Sequence, residues 1–415
     1  MKRILTLSLL AAACSAAFAQ TSTGSLTVYG IVDAGVQRVS GYNGGAVTSL
    51  VSGIMEGSRL GVRGNEDLGG GYRAVFTLEN RTELDTGALS NRAISGTQLP
   101  DRVSQAALLG LPSALQPVVT SVAGSIGSTI GVNLPGNYWD RQIFVGLVTP
   151  VGALLAGRQY TPAYIVSATF DPLGTQSSLS AGQVASIPTS IDIRLSNTLQ
   201  YRVEAGGVSA ALMMAFGETA GNNKASRFIG GSAIYKNNAF SVGLGYNKRN
   251  NEVGDTSLES TVLGASVNVG PGKVTGLYAK IKDDHPTGLS TLTATLTPAV
   301  GAATAGVVQN AFINAFKQDG DLMSIGYVAT LGPNTVYVAY NSFNDKRPNN
   351  ADTTSYGAAY SYALSKRTDL NVVLTHFNNK GLGQAAPGQA GFLGGVTKSA
   401  GVDSNSFAFG IRHRF

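Results

Sequence analysis

The sequence predicts an all-β fold, a 16-stranded antiparallel transmembrane β-barrel whose third loop folds inward. Three observations predict it. The chain opens with an export signal. It is weakly charged, yet after that signal it has no apolar run of about 18 residues that could cross a bilayer as a helix. Short turns and long irregular segments then take turns along its length, as in a closed barrel with two unlike ends. Composition alone is also compatible with a secreted β-sandwich or solenoid, so the segment pattern decides.

The opening "MKRILTLSLLAAACSAAFAQ" puts Lys2 and Arg3 before an apolar run from Ile4, with Ala17 and Ala19 ahead of Gln20. That is the pattern of a secretory signal cleaved after residue 19, leaving 20–415 as the barrel domain. A lipid-modified start at Cys14 would call for a Leu three residues earlier, where Ala11 stands. Cys14 is the only cysteine, so the mature chain is expected to lack disulfides, zinc-thiolate sites and cysteine nucleophiles. Losing Lys2 and Arg3 takes the net charge from +6 to +4, and the charges are scattered without a basic run, which argues against a nucleic-acid partner.

Strand 1 is expected over 24–37, "GSLTVYGIVDAGVQ", followed by a loop over 39–56. Turn signals then fall at 65–71, 149–152, 204–207, 236–239, 270–273, 331–334 and 365–368, each flanked by alternating runs. Between them lie loops at 82–138, 160–190, 218–228, 248–257, 283–320, 342–353 and 378–402. Seven turns and eight loops join sixteen strands. The even count brings the last strand, 403–415, back beside the first to close the sheet. Alternation is plain in "FSVGLGYN", where Phe240, Val242, Leu244 and Tyr246 oppose Ser241, Gly243, Gly245 and Asn247. Tyr72, Tyr201, Phe240 and Phe415 stand close to the short-turn side, either as an interfacial girdle or through the ordinary preference of aromatics for strands.

Three arginines stand out by depth. Arg59, Arg141 and Arg194 lie six, eight and ten residues before their turns, roughly 15 to 25 Å above the turn side at about 3.3 Å per residue and a tilt near 40°. A lipid-facing arginine there would cost about 2–4 kcal/mol, so all three are expected in the lumen. Arg59 and Arg63 alternate with Leu60 and Val62, which puts Arg63 in the lumen too. The three form a basic ladder on one arc, or are separate charges neutralised by acids such as Glu79. The 160–190 loop has one acid, Asp171, and no Lys or Arg, which suits a segment folded into the pore. Asp171 is then the acid facing the arginines, or a plain turn former in "FDPLG". His285, His376 and His413 have no nucleophile and acid at an interpretable spacing, so no enzyme activity, metal or cofactor is expected.

The stretches "SLTVYGIVDAGV", "SRLGVRGNEDLGGGYRAVFTLEN", "RQIFVGL", "LLAGRQYTPAY", "RLSNTLQY" and "GIRHRF" together resemble the general bacterial porins, in detail their β-proteobacterial branch. The resemblance implies a homotrimeric outer-membrane channel for small hydrophilic solutes, in contact with lipid and lipopolysaccharide. It carries the constriction arginines onto Arg59, Arg141 and Arg194 and suggests Arg158 at the loop's root, either basic wall or hydrogen-bonding anchor. Asp171 as the lone loop acid departs from cation-preferring members, so the eyelet is expected to be net positive and anion-preferring. A pore selective for phosphate or an organic acid, or a surface adhesin, are the alternative readings. The resemblance also implies that Phe415 is read by the barrel-assembly machinery. The 84–138 segment is longer than the resemblance predicts; its counterpart in the family reaches onto a neighbouring subunit, so the enlarged version is expected to cap the trimer or the pore mouth, with its apolar stretch "AALLGLPSALQPVVTSV" buried against a partner the sequence does not name.

Overall fold

The computed structural model describes residues 24–174, 176–185, 192–389 and 393–415, so the signal expected over 1–19 lies outside them, as does part of the 160–190 loop. Nineteen strands are present among the described residues, and seventeen of them make one closed antiparallel sheet of sixteen wall positions. Position 1 is β1 (Ser25–Tyr42). Position 2 is shared: β2 (Gly45–Ser52) pairs with the upper half of β1 and β3 (Arg59–Gly69) with its lower half.

Positions 3 to 15 follow in chain order. They are β4 (Tyr72–Arg81), β5 (Gln142–Thr149), β6 (Gly152–Tyr160), β7 (Arg194–Ala205), β8 (Val208–Ala215), β9 (Phe228–Lys236), β10 (Phe240–Asn250), β11 (Thr256–Val269), β12 (Gly272–Asp283), β13 (Gln318–Leu331), β14 (Asn334–Asp345), β15 (Thr353–Ala363) and β16 (Thr368–Asn379). After a small hairpin of β17 (Ala385–Gln389) and β18 (Leu393–Val396), β19 (Ser404–Arg414) takes position 16 and pairs with both β16 and β1. The pairing continues through Phe415, whose N–H and carbonyl both bond to Gly30 at 3.1 Å. The Phe415 ring lies where a Cβ on Gly30 would be, 2.4 Å from its nearest carbon, which accounts for a glycine there.

All seven expected turns join strands, and the wall has the inverted polarity the sequence called for. Leu26, Leu212, Leu244, Phe407, Phe409 and Ile411 are exposed on the outside, while Gln37, Gln200, Asn341 and Asn371 are buried inside. Exposed Tyr72, Tyr201, Tyr235, Phe240, Tyr362 and Phe415 ring the short-turn side.

Two expectations are corrected. The 39–56 segment is not a loop: "YNGG" is a tight hairpin turn between β1 and β2, and the chain leaves the wall only over 53–58. The 65–71 turn is shorter than expected, because β3 continues to Gly69 and turns on Gly70 and Gly71, both at positive φ.

Among the described residues four α-helices lie in the long segments: α1 (Gln116–Thr129), α2 (Pro162–Phe170), α3 (Leu292–Val300) and α4 (Ala302–Phe316). Helix α2 folds inward as expected and packs Ala163, Val166 and Phe170 against Val262, Leu277 and Ile281 of the inner wall. Glycine makes room for it. A Cβ at Gly264 would sit 2.1 Å from the Phe170 ring. Gly264→Ile is therefore expected to push α2 toward the pore axis and lower single-channel conductance in planar bilayers.

Candidate functional site

The site forms where β3 to β7 leave the wall toward the mouth. Arg59 and Arg194 are the first residues of β3 and β7, Arg141 stands one residue before β5, Tyr160 ends β6, and Glu79 lies near the end of β4. Adjacent strands bring these five side chains to one height because each is at the same end of its strand.

Tyr160 is the hub. Its hydroxyl accepts from Arg141 Nη2 at 2.9 Å and from Arg194 Nη2 at 3.0 Å, and the Arg194 guanidinium lies 4.6 Å above its ring. On its other side the ring stacks on Tyr164 of α2 at 5.0 Å, so one aromatic pair links the basic wall to the inward segment. Arg141 is fully buried and donates Nε to Glu79 Oε1 at 2.6 Å. Tyr29 donates to the other oxygen of Glu79 at 3.0 Å, and Arg63 stands 5.3 Å from the Tyr29 ring with its side chain exposed to the lumen. Arg194 has no carboxylate within salt-bridge reach among the described residues.

A second cluster adjoins the first. Glu56, carried into the lumen by the 53–58 excursion, receives Arg59 at 2.9 Å, Arg412 at 3.0 Å and Arg414 at 2.8 Å. Asp369 shares the last two at 3.1 and 2.9 Å. Behind the arc, Arg81 is paired with Glu83 at 3.1 Å and lies 3.5 Å from Asp140.

Arg59, Arg141 and Arg194 are thus on alternate wall positions 2, 4 and 6 of one arc, but they are a braced cluster and not a bare ladder. Glu79 braces Arg141 directly. Arg158 does not join them: it donates to the Asp140 carbonyl at 2.7 Å and to Ser196 at 3.0 Å, tying the approaches of β5 and β7 to β6. Asp171 does not face the arginines across the lumen. It is buried at the end of α2, and its two oxygens accept the backbone N–H groups of Leu173 and Ala181 at 2.7 and 2.6 Å, so its charge organises the inward segment. Tyr160, Glu56 and Asp369 were not legible as site residues. The one available signal was polar residues on the inner face of otherwise apolar strands.

A closed barrel with an apolar outside, a polar basic-walled lumen and a chain segment folded across it is a membrane-spanning diffusion pore. The chain belongs to the Gram-negative porin family, whose profile matches residues 6–382. It is an outer-membrane channel protein, and members of the family are channels, not enzymes. Outer membrane porin protein 32 of Delftia acidovorans is 29% identical over the full length of both chains. An outer membrane porin protein of Bordetella pertussis is 25% identical, again over both full lengths. Among solved structures, the anion-selective porin from Comamonas acidovorans matches with a TM-score of 0.69 at 23% identity, covering 94% of this chain and 100% of that one. The trimer form of Vibrio cholerae OmpT matches with a TM-score of 0.57 at 13% identity, covering 94% and 99%. Porins of this family form trimers.

Proposed function

We propose that the protein is an anion-preferring channel for small hydrophilic solutes, working as a homotrimer. The observation that carries this is a count around the two clusters. Arg59, Arg63, Arg81, Arg141, Arg194, Arg412 and Arg414 face Asp33, Glu56, Glu79, Glu83, Asp140 and Asp369, seven positive charges against six negative. The inward segment turns its acid, Asp171, to the backbone N–H groups of Leu173 and Ala181 and not to this arc. Low-dielectric walls focus the surplus field into the lumen and raise the local anion concentration without a tight site. Similarity to the anion-selective porin from Comamonas acidovorans supports the same sign. The family resemblance extends the reading to contact with lipid and lipopolysaccharide and to Phe415 as the residue the insertion machinery reads.

The test is the reversal potential across a bilayer in a salt gradient. Anion preference is expected at low salt and should weaken as the Debye length falls toward about 3 Å near 1 M. Arg194→Glu, which removes a cation whose side chain is bonded among the described residues to the Tyr160 hydroxyl, and adds a carboxylate near Glu79, should shift the potential toward cations. Cation preference of the unaltered channel at low salt would sink the reading. Saturable block by one anionic solute would instead favour a substrate-selective pore.

A further inference from the structure

We propose that the two helical segments above the barrel form a roof over the pore's own mouth, and that this roof filters solutes by size before they reach the arginines. The segment between β4 and β5 is rooted between wall positions 3 and 4. The segment between β12 and β13 is rooted between positions 11 and 12, on the opposite side of a sixteen-position ring. Sixteen strands about 4.8 Å apart and tilted about 40° make a barrel roughly 30 Å across. The two segments nonetheless share one core: Leu99, Val103 and Val119 from the first are buried with Leu289, Val308 and Phe312 from the second.

Helix α1, a beam of about 21 Å at 1.5 Å per residue, supplies the reach. Its C-terminal end stays near the root, where Arg92 donates to the carbonyls of Gly127, Ser128 and Ile130. The far side is pinned to other loops. Arg102 meets Asp345 at 2.6 Å, Asp101 accepts from Ala400 N–H at 2.9 Å, and Gln98 donates to the Thr397 carbonyl at 2.9 Å. Glu252 accepts the N–H groups of Gly288 and Ser290 at 3.0 and 3.2 Å.

The roof stands over the lumen and not outside it. Pro100 and Arg102 face Val184 and Ala185 of the inward segment across a cavity of about 50 Å³. The 84–138 segment is therefore committed to its own chain, and the partner the sequence left unnamed is the 284–317 segment. Helices α1, α3 and α4 contain no charged residue, so the roof screens by size and leaves charge to the arginines below.

The inference rests on pore activity, not on anion preference. The test is permeation of neutral saccharides of increasing length into vesicles, together with the reversal potential. Two variants are compared with the unaltered chain: residues 106–130 replaced by a short Gly-Ser linker, and Phe312→Asp in the full chain. Both are expected to raise trisaccharide entry several-fold relative to monosaccharide entry, while the reversal potential of the linker variant, which loses no charged residue, stays put. An unchanged size dependence overturns the proposal. If it is accompanied by easier dissociation of the trimer, the segment is a subunit latch. Should the linker variant fail to insert, Phe312→Asp decides alone. Loss of anion preference in the unaltered channel would sink the charge reading and leave the roof standing.

Discussion

Replacing Arg141 with alanine is expected to cost about 3–5 kcal/mol of barrel stability, because it strands Glu79 as a buried carboxylate without its cation. Glu79 is only 4% exposed and would keep just the Tyr29 hydroxyl of its two close side-chain partners. The same variant removes one positive charge from the arc, so anion preference should weaken and the reversal potential move toward zero. Glu79→Ala made on top of it separates the two effects. The pair then loses one charge of each sign, so the reversal potential should return close to that of the unaltered channel, and much of the stability should return with it. Denaturant titration in vesicles and salt-gradient potentials measure the two sides. If the double variant keeps the selectivity of Arg141→Ala, selectivity depends on the Arg141 guanidinium itself and not on the net charge of the arc.

That separation also marks what the sequence made legible. The barrel could be read because each element states itself locally: a period of two in the strands and Gly, Asn or Pro at the short turns. The arginines could be read because a guanidinium at mid-bilayer depth has only one tolerable direction. Their partners could not. Glu56 meets Arg412 across 356 residues, a contact that exists only once β19 closes on β1. Tyr160 reads as the first residue of the 160–190 loop until β5 and β7 bring an arginine each to its hydroxyl. Asp171 stayed open between facing acid and turn former because a lone acid in a loop looks available for either; its bonds to the Leu173 and Ala181 N–H groups are those of the turn former. The roof was hidden for a related reason. Its two halves are apolar segments about 180 residues apart, and neither names the other.

Asp33→Ala is expected to destabilise the barrel by about 3–5 kcal/mol, with the opposite functional signature to Arg141→Ala. Asp33 lies on the inner face of β1 and is fully buried. Its Oδ1 accepts the Ile54 N–H at 2.9 Å, and its Oδ2 accepts those of Met55 and Glu56 at 2.9 and 2.8 Å. Its backbone is used as well, since its carbonyl takes the Gly53 N–H at 2.6 Å and its own N–H meets Ser58 Oγ at 3.0 Å. Hydrogen bonds to a charged acceptor are worth about 1.5–3 kcal/mol each, and three donors left facing no acceptor would not all find water inside the wall. Asp33→Asn, which keeps one carbonyl acceptor, should lose less than Asp33→Ala. The excursion that Asp33 holds carries Glu56, the carboxylate shared by Arg59, Arg412 and Arg414. Releasing it takes a negative charge away from three arginines and removes none of them. Anion preference should therefore persist or grow while stability falls. Equal denaturant midpoints for Asp33→Ala and the unaltered chain would show that the carboxylate is not what fixes the break between β2 and β3.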